Sequence, residues 1–523
     1  MKNFLRSIFI VVLGSNLAFA QPELVSDFNA GAAGGISEFN NRGHYIGDVI
    51  VLPVIDSEFG EELGVLKDGE LQLLKDLNPG AADGSPRGFV TYDSLLYFIA
   101  DDTEAEEVIW STDGTEAGTQ QVFLLPEGEE LFWNLIPSEE AGLFFATFDS
   151  LYRSPDGITY EGILSNVELR DPLSNPNSTY CLFDGGIAFL RDRSQDEELQ
   201  LWAFKDSLEL LGIASYPTIL YKYRGLTPVS DGLIFTLEGS FTMNEGEGIY
   251  GYVAESGSLD RIPNAPPALA HLALSSNRAL FFGDGDFYVV NSAAGPAEVI
   301  ISDVEPGVQF NQIPHAAANN RSIFLSDDPF AEDLRVSQTA GSIFTTSTVA
   351  TLEVPNFSNF LAFDRFVFFA NGTFNGFEAN IYYVDTENPV AQLIYAYPDG
   401  VTGFRSVQPI GVQNGKLYFA SDVDDTVGRE LYALDTGIDD LVNSTEYIDN
   451  GPQPELQFAG EHFSLAYGED LPVRVSAYDL NGRLIRQWDT RTNQTEKVVP
   501  GKGLLVYVAQ VGKKQIVRKY FYR

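Results

Sequence analysis

Cysteine and histidine are nearly missing from this 523-residue sequence, which holds one Cys and four His. Because a disulfide needs two thiols, the lone Cys181 excludes an internal disulfide framework. The histidines, His44, His271, His315 and His462, form no pair at the spacing of a helical zinc motif, so no zinc site is predicted. We therefore expect packing and strand pairing to stabilise the fold, with Cys181 as a buried, inert thiol.

Basic residues are also scarce, and 32 Lys and Arg against 74 Asp and Glu give a net charge of −42. A chain this acidic repels phosphate backbones, which excludes nucleic acid as a partner. The scarcity ends near the C-terminus, where residues 471–523 contain 11 Lys and Arg but three acidic residues. This reversal of sign predicts a separate C-terminal module.

Long apolar runs are missing as well, so no transmembrane segment is expected once a leader is removed. The leader itself is predicted at residues 1–20. Lys2 and Arg6 precede a short apolar core, and Ala18 and Ala20 form an A-x-A cleavage site before Gln21. These features predict a secreted protein.

The chain contains nine copies of an apolar-aromatic strand core. Successive copies begin 43 to 50 residues apart, which indicates an internal repeat of about 46 residues. The first residues of the nine three-residue cores are Val49, Leu96, Leu143, Ile187, Leu233, Leu280, Ile323, Val367 and Leu417.

Each core is followed by a second apolar strand that ends in a polar turn, as in Trp110-Ser111-Thr112-Asp113-Gly114. The spacing leaves room for about four short strands per repeat, and no segment shows helical periodicity with caps. Such repeats predict an all-β fold, a propeller of eight or nine four-stranded blades over residues 21–440. Glu23 to Gly31 matches Gln72 to Gly80, so the first strand is expected to complete the last blade.

The turn at residues 110–119 also resembles a family. Its Trp110, Asp113, Gly114 and Gly118 match the ELWxxDGTxxGT repeat of bacterial secreted proteins, although Ile109 stands where that repeat has Leu. The resemblance implies a cell-surface or extracellular protein and implies no agreed catalytic activity. The residues themselves predict a hairpin turn, with Trp110 in the core between blades rather than a sugar platform.

The basic end of the chain is predicted to be a small antiparallel β-sandwich over residues 455–523, after a linker at 441–454. A strand ends at Tyr478-Asp479, Gly482-Arg483 follows in a turn, and a later strand runs from Gly503 through Tyr507. This pattern resembles the type A C-terminal sorting domain of the type IX secretion system. The resemblance implies export across the outer membrane of a Gram-negative bacterium, with the type IX secretion machinery as partner. A permanent ligand-binding sandwich is the alternative.

Residues that could carry chemistry form no recognisable catalytic motif, and the sequence has neither a G-x-S-x-G elbow nor a P-loop. Asp422, Asp424 and Asp425 are weak candidates for calcium ligands, with a solvated acidic loop as the alternative. No other cofactor is predicted. The expected function is binding or adhesion outside the cell, without catalysis, toward an unidentified protein or glycan. A carbohydrate-active or other hydrolase that uses the propeller channel is the alternative, and a matrix component is a third.

Overall fold

A computed structural model describes most of the chain after residue 20. The described residues are 21–29, 34–37, 42–102, 107–125, 129, 131, 135–147, 150–165, 179–193, 198–215, 222–238, 248–265, 270–274, 278–283, 286–302, 315–319, 321–325, 334–352, 356–357, 360–372, 379–396, 405–422, 428–438, 455–459, 462–466, 472–478, 484–491, 495–497, 503–511 and 514–522. The chain forms two compact units, Met1–Thr445 and Glu446–Arg523.

Unit 1 is a β-propeller with nine blades in the described residues, and each blade is an antiparallel sheet of four main strands. This confirms the predicted propeller and decides between eight and nine blades. Blades 1 to 4 contain β2 His44–Ile46, β3 Val49–Asp56, β4 Gly60–Lys67 and β5 Glu70–Lys75; β6 Arg87–Tyr92, β7 Leu95–Asp101, β8 Glu107–Thr112 and β9 Gln120–Leu124; β10 Ile136–Ser138, β11 Gly142–Ala146, β12 Ser150–Ser154 and β13 Glu161–Ser165; β14 Tyr180–Phe183, β15 Gly186–Arg193, β16 Glu198–Phe204 and β17 Leu208–Ser215.

The other five blades follow the same order, except that the first strand of blade 8 is split in two. They contain β18 Lys222–Val229, β19 Gly232–Glu238, β20 Gly248–Val253 and β21 Ser258–Arg261; β22 Ala270–Leu274, β23 Arg278–Gly283, β24 Asp286–Val290 and β25 Glu298–Ile301; β26 His315–Ala318, β27 Arg321–Leu325, β28 Leu334–Thr339 and β29 Ser347–Leu352; β30 Asn356–Phe357, β31 Leu361–Phe363, β32 Phe366–Gly372, β33 Ala379–Asp385 and β34 Asn388–Tyr395; β35 Arg405–Gln413, β36 Lys416–Asp422 and β37 Arg429–Asp435. A 3-10 helix, Ile343–Thr345, precedes β29.

The nine apolar cores all lie in the second strands of their blades. Their side chains are buried on both faces of the sheet, because each blade packs against a neighbour on either side. Phe98, Phe145 and Phe235 are fully buried, for example. This double burial explains why these strands read as continuous apolar runs rather than alternating patterns.

Blade 9 is completed by β1, Glu23–Ser26, which pairs with β37. The sequence predicted this closure, and the structure confirms it. The seam is held further by Tyr45 of blade 1, whose hydroxyl accepts from the Val412 amide at 2.6 Å and donates to the Val412 carbonyl at 3.1 Å. The Gln413 side chain donates to the Asp48 carbonyl at 2.6 Å.

A bulge recurs between the third and fourth strands. The register shifts at this place in blades 1 to 4 and 6 to 9, including the pairing of β1 with β37. A bulge bends its strand and increases the local twist, so the repeat builds a strongly twisted outer edge. The fourth strands are the most exposed of their blades, and the first strands therefore face the central axis.

Unit 2 consists of two antiparallel sheets. The three-stranded sheet contains β38 Glu455–Ala459, β39 His462–Ala466 and β42 Thr495–Lys497; the four-stranded sheet contains β40 Pro472–Tyr478, β41 Leu484–Arg491, β43 Gly503–Val511 and β44 Lys514–Tyr522. Val473, Val475 and Trp488 are buried, and the Arg486 guanidinium lies 5.1 Å from the Trp488 ring centroid. The predicted sandwich arrangement of these sheets stays a prediction.

Candidate functional site

The antiparallel order of the blades gives the ring two different faces. The turns that join the first strand of a blade to the second, and the third strand to the fourth, lie on one face, which we call the turn face. Connections from second to third strands, and from each blade to the next, lie on the other, the loop face. All first strands therefore start at the loop face and run along the central channel that a propeller encloses.

The turn at residues 110–119 lies on the turn face of blade 2. Trp110 is 6 % exposed and packs with Val51 and Leu63 of blade 1 and with Phe98 of its own blade. Its indole ring therefore belongs to the core between two blades and offers no open platform for a sugar. The indole N–H has no hydrogen-bond partner, which fits an apolar packing role.

The polar groups of this turn bond to one another. One carboxylate oxygen of Asp113 accepts from the Thr115 amide at 2.9 Å and from the Thr115 hydroxyl at 2.6 Å. These bonds hold the pKa of Asp113 below its usual value. Thr112 and Thr119 join their hydroxyls at 2.7 Å beneath the loop. A Cβ on Gly118 would lie 2.1 Å from the Asp113 carboxylate, so a larger residue there would displace this carboxylate from its bonds to Thr115.

Turns of this kind also join neighbouring blades. The third-to-fourth turn of one blade contacts the first-to-second turn of the blade before it, as Gly114 does with Ile46 of blade 1. In blades 5 and 6, Asp231 accepts from the Ser292 hydroxyl and the Ala293 amide, both at 2.6 Å. The turn face is thus a ring of structural contacts.

Sequence reasoning missed a buried carboxylate on the loop face. Glu62 is the third residue of β4, the third strand of blade 1, and is fully buried. Its oxygens accept the backbone amides of Leu77 at 2.5 Å, Gly84 at 3.0 Å and Asn78 at 3.3 Å, all in the connection to blade 2. Burial raises the pKa of Glu62 to about 7, an increase that the amides only partly offset.

Glu430 repeats this cage in blade 9. It is fully buried, and one carboxylate oxygen accepts the backbone amide of Phe28 at 3.1 Å, the counterpart of the Leu77 amide at Glu62. The Gly35 amide donates instead to the Arg429 carbonyl at 2.9 Å, and Oε1 of Glu430 has no hydrogen-bond partner among the described residues. Burial raises its pKa to about 7 as well. A signal was present in the sequence, because both glutamates stand seven residues before a glycine with positive φ.

The third such glutamate, Glu107 of blade 2, is shared between two partners. It accepts the Leu131 amide at 2.7 Å and pairs with the Arg87 guanidinium at 2.5 Å. Arg87 also pairs with Asp101 at 3.0 Å. Burial raises the pKa of neighbouring Glu61, one of whose oxygens has no partner. Arginine therefore occupies the centre of this carboxylate cluster, where a cation would otherwise sit.

Of the three calcium candidates, the structure describes Asp422. Asp422 ends β36 opposite Arg405 in the strand register, whereas Asp424 and Asp425 lie outside the described residues. No group of three or more His, Cys, Asp or Glu side chains in the described part of the chain is placed to hold a metal ion. Calcium at these residues stays a prediction.

The channel wall differs from the rest of the propeller in its charge. Within the described first strands of the nine blades there is no Asp or Glu. The basic and imidazole residues of these strands all lie within the first three positions, at the loop-face mouth: His44, Arg87, Lys222, Arg224, His271, His315 and Arg405.

Burial shifts the pKa values of two titratable groups on the channel wall, His44 and Cys181. His44 stacks on Phe89 of blade 2 with ring centroids 4.5 Å apart, and burial lowers its pKa to about 4. Cys181 on β14 is a free thiol whose pKa burial raises. Both effects favour the uncharged forms, and the two residues lie in blades 1 and 4.

The remaining predicted positions are only partly described. Gln21 lies two residues before β1, while Ala18 and Ala20 lie outside the described residues. In unit 2, Tyr478 ends β40, and Gly503 and Tyr507 lie in β43, which pairs with β40. Asp479, Gly482 and Arg483 fall outside the described part. Among the described residues no helix is long and apolar enough to span a bilayer.

Comparison with known proteins identifies no family. No protein family matches the sequence, and no curated protein matches it. Solved structures that resemble the chain include a prolyl endopeptidase, which is 12 % identical with a TM-score of 0.40; the match covers 76 % of this chain and 55 % of that chain. Another is a puromycin-hydrolyzing peptidase of Mycobacterium tuberculosis, which is 10 % identical with a TM-score of 0.40; the match covers 77 % of this chain and 60 % of that chain. A third is the GH74 enzyme of Niastella koreensis, which is 11 % identical with a TM-score of 0.37; the match covers 93 % of this chain and 79 % of that chain. The chain spans little more than half the length of the two peptidases, and none of these likenesses carries a functional argument.

Proposed function

We propose that the protein is a non-catalytic binding propeller outside the cell, exported by the type IX secretion system, that recognises an extracellular protein or glycan. The observation that carries this proposal is the channel wall. A glycoside hydrolase acting in the channel needs two carboxyl groups a few ångströms apart, and the described first strands contain no carboxyl side chain.

Three of the carboxylates on the loop face support the same conclusion, because they are already engaged. Glu62 accepts three backbone amides, and Asp101 and Glu107 pair with Arg87. A general acid or base needs a proton that it can exchange with a substrate, whereas these oxygens hold the connections between blades.

Export is the second part of the proposal. A compact basic unit follows a strongly acidic propeller, as expected of a separate address module. Residues 455–523, fused behind a signal peptide and a reporter, should send the reporter outside cells that have this secretion system. A matched fusion lacking Gly503 to Tyr522, the last two strands, is the control. A reporter retained in the periplasm would overturn this part.

Binding is tested with the secreted chain, residues 21–523, immobilised and exposed to a glycan collection and to purified surface proteins, with and without calcium. We expect saturable binding to one class of ligand and no change in that ligand after incubation. Turnover of a polymer would instead favour the hydrolase, and absence of any binding would overturn the proposal.

A further inference from the structure

We infer that Glu430 makes closure of the ring sensitive to pH: β1 and the segment after it are held against blade 9 at low pH and are released as pH rises. The feature behind this inference is a buried carboxyl group at the place where the ring is closed by strand pairing instead of by the peptide chain.

Few contacts close the ring at this place. β1 pairs with β37 through three residue pairs and a bulge. Beyond β1, the amides of Gly35 and Ile36 donate to the Arg429 carbonyl at 2.9 and 3.0 Å. On the other side, the Ile55 amide of blade 1 donates to the Gly35 carbonyl at 2.8 Å. Residues 34–37, which we call the covering segment, therefore join blade 9 to blade 1.

Glu430 lies directly under the covering segment. A Cβ on Gly35 would lie 2.7 Å from Oε2 of Glu430, so backbone packs against the carboxyl group. Oε2 accepts the Phe28 amide at 3.1 Å, whereas Oε1 has no hydrogen-bond partner in the described part of the chain. An ionised carboxylate here lacks most of the donors that would offset its loss of hydration. The uncharged form is therefore favoured while the segment is in place.

The charged groups around Glu430 are mainly acidic. Asp27, which follows β1, raises the pKa of Glu430 by repulsion, in addition to the larger effect of burial. Arg429 precedes Glu430 on β37, so its side chain points to the opposite face of the sheet, and it lies opposite Asp422 in the register. From blade 1, the Glu61 side chain is hydrogen-bonded to the end of the covering segment.

The sign of the pH dependence follows from these surroundings. In the closed ring the pKa of Glu430 is about 7, whereas release of the covering segment returns the group to water and to its ordinary value of 4.5. The closed state therefore binds the proton more tightly than the open state. Closure is strongest below pH 4.5, weakens between pH 4.5 and 7, and is constant above that. The shift allows the opening equilibrium to rise by at most about 300-fold.

Glu62 provides a comparison within the same molecule. It is also a fully buried carboxyl group under a connection between blades, but both of its oxygens accept amides. The peptide chain itself joins blade 1 to blade 2. Ionisation of Glu62 can therefore loosen one connection without opening the ring, and the pH-sensitive closure is specific to blade 9.

The experiment measures hydrogen exchange of residues 21–523 between pH 4.5 and 8. For the amides of β1, Gly35 and Ile36, the wild-type rate is divided by the rate of Glu430→Gln at the same pH, which cancels the intrinsic pH dependence of exchange. We expect this ratio to rise with pH, by at most about 300-fold, and to level off above pH 7. Glu23→Gln, which removes an exposed carboxyl group from β1, is the matched control and should reproduce the wild-type profile.

Asp27→Asn provides a second variant if Glu430→Gln does not fold. It removes the repulsion that raises the pKa of Glu430, so the closed ring loses less stability when Glu430 ionises. The amides of Gly35 and Ile36 should then exchange at the wild-type rate at pH 4.5 and more slowly than wild type at pH 7.5.

Three results would overturn the inference. The first is a ratio that does not change with pH, and the second is a change of the same size in the amides of distant blades. The third is an equal effect of Glu62→Gln on the amides of β1 and the covering segment, because closure would then not depend on Glu430. With Asp27→Asn, rates equal to wild type at both pH values would have the same meaning.

Discussion

Replacing Glu62 tests whether buried carboxylates hold the loop-face connections in place. The side chain is fully buried and accepts three backbone amides. Glu62→Ala removes three hydrogen bonds to two acceptor oxygens. The Gly84 amide keeps the Glu61 carbonyl at 2.9 Å, so the Leu77 and Asn78 amides are the donors left unpaired. At about 1 to 2 kcal/mol for each donor, the expected loss is about 2 to 4 kcal/mol at pH 5.

Glu62→Gln separates charge from shape. Because the pKa of Glu62 is about 7, its carboxyl group is protonated at pH 5 and, like the Gln amide, carries hydrogen on one of its two polar atoms. We therefore expect Glu62→Gln to lose less than about 1 kcal/mol at pH 5. Glu58→Gln, an exposed residue of the same blade, is the matched control and should change stability by less than about 0.5 kcal/mol.

The effect also depends on pH, with a definite sign. Because the pKa of Glu62 in the folded protein is about 7, above its ordinary 4.5, the folded state holds the proton more tightly than the unfolded state. Wild type should therefore lose stability as pH rises from 4.5 to 7, by about 3 kcal/mol from this group. Glu62→Gln cannot lose a proton, so it should gain stability relative to wild type as pH rises from 4.5 to 7, and the difference should stay constant above pH 7.

The measurement is hydrogen exchange of residues 77–84, supported by thermal unfolding of the whole chain. A loss of 3 kcal/mol in local stability should speed exchange of these amides roughly 100-fold in Glu62→Ala. Amides in distant blades report on specificity and should not change. Unchanged exchange at residues 77–84, or an equal increase around the whole ring, would refute the reasoning.

Other side chains give simpler tests. Trp110→Ala should cost about 3 to 5 kcal/mol by leaving a cavity between blades 1 and 2, measured by thermal unfolding; a loss below 1 kcal/mol would contradict its place in the core. Gly118→Ala should lower the unfolding temperature because its Cβ meets a carboxylate, whereas Gly162→Ala, where a Cβ makes only ordinary contacts, should not. Tyr45→Phe should cost about 1 to 3 kcal/mol by leaving a buried amide of blade 9 unpaired, while Tyr92→Phe, with an exposed hydroxyl, should cost less than about 1 kcal/mol; equal losses would argue against a tight seam.

The blade architecture could be predicted because it is repeated. The three-residue core that recurs nine times marks the second strand of every blade. Because this strand is buried on both faces of the sheet, its sequence is an unbroken apolar run. The completing strand was predictable because residues 23–31 match residues 72–80. Blade number was less certain, since Val49-Ile50-Val51 is the plainest copy of the core and propellers typically have four to eight blades.

The carboxylate cages were not predicted, because their function depends on residues far away in sequence. Glu430 binds the amide of Phe28, 402 residues distant. A glutamate that opens a strand looks solvated in a sequence with 74 acidic residues. The charge of the channel wall was hidden for a similar reason, since only the ring brings the first strands together.

The closing strand also decides how the propeller responds to force. Going round the ring, the covalent chain is interrupted at one place, between β37 and β1 inside blade 9, and the register there contains three residue pairs and a bulge. The other eight blades carry tension through the peptide backbone. We therefore expect a pulling force on the segment before β1 to detach this strand before any other, because hydrogen bonds and packing, rather than the peptide backbone, close the ring there.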